Sequence, residues 1–247
     1  MAITVVGNYL SPYVRKVLVC LDLKGLDYEI DPIIPFYGND EFTRLNPVRR
    51  VPVLVDGDLV IPESAAICEY LDEVYAGPGL LPTNAGQRAQ ARALQAFADG
   101  RMGDVLIWNL FNQYVIRRFV WRETADESRT AKALHEDIPQ ILDFLETRLP
   151  DDGFLFGECS VADIAIACMF RNAAFVRYAI DPDRWPRSAS FVNRVLDLPA
   201  FVRLRPFEDV MLSTPIPQHR DALRAAGAPV AQRTLGKPDP TRSQFEI

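Results

Sequence analysis

The feature that most narrows what this chain can fold into is the switching of hydrophobic period within residues 3–75. Residues 3–6 (Ile-Thr-Val-Val) are a β-branched run of the kind buried in a sheet. The pattern then turns helical, with Val14, Val17, Leu18 and Leu21 on one face. Ser11 stands where an N-cap belongs, Pro12 at the first helical position and Gly25 just past the end. Residues 28–34 read as a second strand, followed by a loop and a short helix down to Asn46-Pro47. Residues 51–61 (VPVLVDGDLVI) read as a hairpin turning at Asp56-Gly57. Ile67, Tyr70, Leu71 and Val74 restore helical spacing. The order is βαβαββα. A strand–helix–strand unit implies a parallel crossover and a tight turn implies an antiparallel pair, so the expected domain is α+β with a mixed sheet.

Everything beyond a Gly- and Pro-rich stretch reads as helical. Residues 87–121 are mostly good helix formers. Leu134, Ile138, Ile141, Leu142, Leu145 and Leu149 form one stripe over 127–149, with a kink expected at Pro139. Further helices are expected around 160–178 and 188–212. From Pro215 onward there are five prolines and few large apolar residues, so this tail is expected to wrap the surface or to be disordered. The expected division is an α+β domain over 1–76, a linker over 77–86, an all-α domain over 87–212 and a C-terminal extension over 213–247.

The chain has 247 residues, enough for two small cores. Its net charge of −6 argues against nucleic acid or an anionic membrane as the main partner, since both need a basic footprint. The N-terminus lacks the pattern of a signal peptide and no apolar run is long enough to span a bilayer, so the expected address is cytoplasmic. Cys20, Cys68, Cys159 and Cys168 include no CxxC pair, which disfavours a disulfide framework and dithiol chemistry. His135 and His219 are far apart, so no metal site is expected.

Four segments carry a chemical signal. Ser11-Pro12-Tyr13-Val14-Arg15 joins the first strand to the first helix. Residues 46–54 read NPVRRVPVL. Pro62-Glu63-Ser64 opens the third helix, with Ser64 as its expected N-cap. Ser160-Val161-Ala162-Asp163 is an S-x-x-D capping box, flanked by Cys159 and Ile164 as a hydrophobic staple. Taken alone, Ser11 is an ordinary N-cap, the two arginines a solvated pair and Glu63-Ser64 a capping sequence. A hydroxyl beside a helix N-terminus would also stabilise an anion.

In this order the four segments resemble the cytosolic glutathione transferase family, over roughly residues 3–210. The first is similar to the SPxxRxV signature of serine-type classes, tau-like and bacterial, and the second to NPxGKVPVL. The resemblance implies a thioredoxin-like N-terminal domain that binds glutathione as co-substrate and an all-α domain for the second substrate. It implies that Ser11 holds the glutathione thiolate. It also implies that the Val51-Pro52 bond is cis, leaving the Val51 backbone to pair with the cysteinyl part. Arg50, or Arg49, takes the glycine carboxylate, and Glu63 and Ser64 take the γ-glutamyl end. Arg49 replaces a family glycine, a departure that bears on the loop's shape. The capping box of Ser160 and Asp163 has a folding role, worth about 0.5–2 kcal/mol per replacement. Leu10, Tyr13, Phe36, Trp108, Phe111 and Asn112 are candidates for lining the second-substrate site, although the aromatic residues of the helical domain are more often core. An apolar pocket suits small hydrophobic electrophiles.

The implied activity is conjugation of glutathione to such electrophiles, or peroxide reduction, by a homodimer without a metal. Cysteine-type relatives need a cysteine after the first strand, and none occurs among residues 3–19. The Ser-Ser-Cys run of zeta-type isomerases is also absent. Tyr9 is a rival hydroxyl, though the spacing to Arg15 favours Ser11. The alternative is a non-catalytic interaction module or ligand carrier of the same fold.

Overall fold

The computed structural model describes residues 3–242. The chain divides into two compact units, Met1–Pro78 with Pro199–Ile247, and Gly79–Leu198.

The first unit is built on a four-stranded sheet in the order β2-β1-β3-β4. Its strands are β1 (Ile3–Val6), β2 (Tyr28–Asp31), β3 (Val53–Asp56) and β4 (Leu59–Pro62). β1 and β2 are parallel, and both β1–β3 and β3–β4 are antiparallel, as the element order requires. Helix α1 (Pro12–Leu23) buries Val14, Val17, Leu18 and Leu21 completely and packs against α3 (Ser64–Val74), where Cys20 and Cys68 Sγ lie 3.5 Å apart as free thiols. Between β2 and β3 come a 3₁₀ turn (Pro35–Tyr37) and α2 (Asp40–Leu45). β2 stops at Asp31, short of the expected 28–34, because Pro32 cannot donate to a ladder. A core cluster of Val6, Ile33, Phe42 and Val53 is completed by Leu235 from the far end of the chain.

That last contact corrects the expected division. Residues 199–212 belong with the α+β unit, not with the helical one. The single helix expected over 188–212 is three: α8 (Pro186–Leu196), α9 (Pro199–Val202) and α10 (Arg205–Ser213), interrupted where Pro199 and Pro206 start new turns. α9 packs on α1, and Arg203 clasps Asp22 through two bonds of 2.8 and 2.6 Å. The described part of the extension wraps the surface. It forms α11 (His219–Ala225) and then pairs Val230 in parallel with Ile30, widening the sheet beyond β2. Residues 243–247 of the extension lie outside the described residues.

The second unit is helical. α4 (Ala85–Phe97) is capped by Asn84, whose side chain accepts from Gln87 N–H at 3.1 Å. It continues as a π-wound stretch over Ala98–Trp121. The expected linker is partly core here, since Leu80 is buried and its carbonyl accepts from Val161 N–H. α5 (Glu127–Lys132) and α6 (Ile138–Glu146) are separated by a π turn (Ala133–Asp137), in which Ile138 N–H reaches back five residues to Ala133. The wider winding falls just before Pro139, the expected kink position, which has no N–H with which to continue the ladder. α7 (Val161–Phe175) is buried on nearly every side and forms the unit's centre. Among the described residues no helix is long and apolar enough to cross a membrane.

Candidate functional site

Strand register gathers the first three motif segments. Val6, the last residue of β1, pairs with Val53, the first of β3, and Val53 pairs with Pro62, the last of β4. The segments beginning at Gly7, ending at Pro52 and beginning at Glu63 therefore leave the same end of the sheet, one strand spacing of about 4.8 Å from one to the next. Gly7 makes this approach possible. Its φ is +149°, and a Cβ there would stand 2.4 Å from Val14 and 3.2 Å from the Val51 side chain. An isolated glycine after a strand is the signal that would have flagged this close passage.

Ser11 is the N-cap of α1, with extended backbone, and its Oγ accepts from Val14 N–H at 3.4 Å. The hydroxyl's own proton has no acceptor among the described residues. The loop before it is shaped by Asn8, which donates to Ile33 O at 3.1 Å and accepts from Leu10 N–H at 3.0 Å. Nothing in the local sequence marked Asn8. Arg15 braces the same loop by donating to Tyr9 O at 3.0 Å, and it is paired with buried Glu208. Tyr9, the rival hydroxyl, is 1% exposed with its ring 4.9 Å from that of Phe207. Burial drives its pKa well above the usual phenol range, which suits a core residue better than a donor to a ligand. Leu10 and Tyr13 are half-buried beside Ser11, and Phe36 is half-buried on the 3₁₀ turn.

The Val51-Pro52 bond is cis. Val51 packs against the Val6–Phe42–Val53 cluster. Its N–H and C=O make no hydrogen bond among the described residues. The two arginines before it differ. Arg49 has φ +57°, so it adopts the left-handed conformation a glycine would take, and the loop keeps that shape. Its guanidinium is engaged, donating to Thr43 Oγ1 at 2.5 Å, Gly38 O at 2.7 Å and Pro35 O at 3.4 Å. Arg50 is exposed, and its side chain makes no hydrogen bond or ion pair among the described residues. Its carbonyl accepts from the buried Asn46 side chain. The geometry thus separates a structural Arg49 from an available Arg50.

Ser64 is not the N-cap of α3. Glu63 is, with φ +72° and no capping bond from its side chain, and Ser64 is the first helical residue. Sequence could not place this, because the cap position is set by Glu63's strained backbone, which a non-glycine residue seldom adopts. The result is a buried Ser64 hydroxyl and the unpaired first-turn N–H groups of α3, with the exposed Glu63 carboxylate next to them. Two helix N-termini, a serine hydroxyl at each, an open stretch of backbone, one carboxylate and one guanidinium make a site for a small peptide with several charges.

The remaining candidates, Trp108, Phe111 and Asn112, stand on the π-wound stretch of the helical unit. Phe111 is packed in the core there, 4% exposed with its ring 6.2 Å from Phe175. Trp108 and Asn112 are half-buried. The capping box forms around Asp163, which is fully buried. It accepts from Ser160 N–H (2.9 Å), Ser160 Oγ (2.6 Å) and Leu155 N–H (2.9 Å). Among the described residues no cluster of three or more His, Cys, Asp or Glu side chains is placed to hold a metal ion.

Known proteins resemble both units of the chain. Residues 6–79 match the glutathione S-transferase N-terminal domain and residues 119–197 the glutathione S-transferase C-terminal domain. The chain is 32% identical over 197 residues to glutathione S-transferase Z2 of Arabidopsis thaliana, spanning 77% of this chain and 85% of that protein. It resembles the crystal structure of a glutathione S-transferase from Rhodospirillum rubrum F11, with 30% identity, a TM-score of 0.77 and coverage of 89% and 99%. It also resembles a maleylacetoacetate isomerase from Methylobacterium extorquens AM1 with bound malonate and GSH, with 26% identity, a TM-score of 0.67 and coverage of 92% and 100%.

Proposed function

Because the chain belongs to the glutathione S-transferase family, we propose that it ionises the thiol of glutathione at Ser11 and delivers the thiolate to a small apolar electrophile. The observation that carries this reading is the Ser11 hydroxyl, held at the N-cap of α1 with its proton uncommitted. Donated to a sulfur anion, that proton and the positive end of α1 both favour the thiolate. Bringing the two reactants together supplies the remainder of the rate.

The other residues account for the rest of the tripeptide. The Ser64 hydroxyl and the first-turn N–H groups of α3 suit the γ-glutamyl carboxylate, and Glu63 suits its ammonium group. The Val51 backbone offers one donor and one acceptor to the cysteinyl residue. Arg50, rather than Arg49, is the partner for the glycine carboxylate, because the Arg49 guanidinium is already satisfied. Leu10, Tyr13 and Phe36 supply apolar surface for the electrophile. The same thiolate attacking a peroxide oxygen would give peroxide reduction. A serine-type, tau-like site, a homodimer and a cytoplasmic address belong to the same reading; Val74 on α3, 57% exposed, is an apolar residue that such a dimer would cover.

A second reading is glutathione-dependent isomerisation of an unsaturated dicarboxylic acid, supported by the isomerase among the similar proteins. The Tyr9-Leu10-Ser11 sequence, without a Ser-Ser-Cys run, weighs against it.

Calorimetry with glutathione and thiolate absorbance across pH, on wild type and Ser11→Ala, test the proposal. Wild type should bind and ionise glutathione near neutral pH. Ser11→Ala should bind it with the thiol pKa raised toward its free value of about 8.5. A wild type that binds no glutathione sinks the transferase reading and favours the interaction module. Turnover of maleylacetoacetate above that of an electrophile such as an aryl halide would select the isomerase.

A further inference from the structure

We propose that residues 229–241 form a strap that positions the Val51 backbone, acting through the 35–39 loop and Arg49. The inference rests on the glutathione reading above for its consequence, and on hydrogen bonds within one unit for its geometry.

The 35–39 loop is a three-residue 3₁₀ turn that begins at a proline, so it has little ladder of its own. It is held from two sides. On one side Arg49 takes the carbonyls of Pro35 and Gly38. On the other the strap takes the next groups in order. Thr241 N–H donates to Phe36 O at 2.8 Å, Lys237 N–H donates to Tyr37 O at 2.7 Å, and Asn39 N–H donates to Leu235 O at 2.7 Å. Gly38 and Gly236 face each other as an antiparallel pair. Gly38 passes so near the Phe42 ring that a Cβ would meet it at 2.1 Å, leaving the loop no room to slide.

The strap is itself anchored. Ile30 N–H donates to Pro229 O at 2.8 Å and Ala231 N–H to Ile30 O at 2.9 Å. The buried Asp31 carboxylate accepts Leu235 N–H at 2.6 Å and the Arg220 guanidinium at 2.5 Å. Leu235 fills the cluster of Val6, Ile33, Phe42 and Val53, on which Val51 also packs. The strap therefore reaches Val51 by a polar route through the loop and Arg49 and by an apolar route through the cluster. Arg49 at φ +57° is the vulnerable joint, since its bonds to the loop offset a conformation that a non-glycine residue resists. Phe36, a candidate wall for the electrophile, rides on the same loop.

The test uses the full chain carrying Lys237→Pro and Thr241→Pro, which delete two strap donors and leave Leu235 and Asp31 in place. The Kd for glutathione should rise roughly tenfold, about 1.4 kcal/mol, with the pKa of the bound thiol unchanged because Ser11 lies on another segment. Should the double variant fold poorly, Thr241→Pro alone removes one bond to the loop, together with the Lys237 Nζ–Thr241 Oγ1 bond within the strap, and should give a smaller rise in the same direction. A lower Tm with an unchanged Kd would mean a purely structural tail and overturn the proposal. Amide NMR signals of Arg49 and Val51 in glutathione-free protein decide the coupling separately. Altered signals together with a raised Kd in the double variant uphold the strap, and unaltered signals overturn it. Wild type that binds no glutathione overturns only the reading of the site.

Discussion

Arg15 donates to Glu208 at 2.5 Å, with both side chains almost wholly buried and 193 residues apart in the chain. The pair ties the helix capped by Ser11 to α10, and Arg15 also donates to Tyr9 O, two residues before Ser11. An arginine that the motif presents as part of a signature is thus a brace of the loop that leads to Ser11, the proposed thiolate site.

Removing one partner of a buried pair leaves an uncompensated charge, at a cost of about 3–5 kcal/mol. Glu208→Ala should lose stability on that scale in urea unfolding. The double variant Arg15→Met/Glu208→Leu should recover most of it, because no charge is then stranded. Equal loss in the two variants would show that the pair contributes through packing alone.

Glu63 holds φ +72° at the head of α3. Glycine adopts that region without strain, so Glu63→Gly should raise Tm, the relief being on the order of 1 kcal/mol. The same change removes the carboxylate proposed for the glutathione ammonium and should weaken glutathione binding. A variant that is less stable would place the strain elsewhere.

Asp163 accepts three hydrogen bonds in a fully buried position, whereas Ser160 supplies two of the donors. Ser160→Ala should cost about 1 kcal/mol, an ordinary cap. Asp163→Ala strands the Leu155 and Ser160 N–H groups and should cost about 3 kcal/mol or more, beyond the range expected of a cap alone. Chemical denaturation of the two variants side by side gives the ratio.

His219 is buried, and its Nε2 lies 2.9 Å from Thr214 O. Desolvation holds its pKa below the usual 6.5, against backbone hydrogen bonds that favour the charged form. The unfolded chain then binds the proton more readily than the folded one. Stability from this group is complete above about pH 6.5 and is lost as pH falls below it, by at most about 1.4 kcal/mol per pH unit. Unfolding free energies between pH 7.5 and 5.5 should fall less steeply in His219→Gln than in wild type. Parallel slopes would remove His219 from the account.

Where a pattern is local, the residues foretold the outcome. Ser11, Pro12 and Gly25 bound α1 as their types require, and the expected β3–β4 hairpin forms, although it turns at Gly57-Asp58, one residue beyond the expected Asp56-Gly57, because Asp56 still pairs with Leu59. The capping box at Ser160 was equally plain. The cap of α3 was not legible, because Ser64 is the better capping type and only the strained Glu63 backbone moves the boundary. The role of Arg49 was hidden as well, since its partners at Gly38 and Pro35 are carbonyls that any residue carries. Phe111 was ambiguous for a related reason: an apolar residue on a helix has the same pattern whether it meets Phe175 or a ligand.

By itself the sequence determined the order and kind of the elements and singled out the segments proposed here for glutathione, because hydrophobic period and cap chemistry act over a few residues. Only the tertiary structure decided that Val6, Val53 and Pro62 lie in one row and that Arg50 rather than Arg49 is free. It also decided that residues 199–242 return to the α+β unit, with Glu208 under α1 and Leu235 in its core. A period states which face of an element is buried but not what buries it. Contacts across nearly two hundred residues, made largely by backbone groups, leave no mark in composition or spacing.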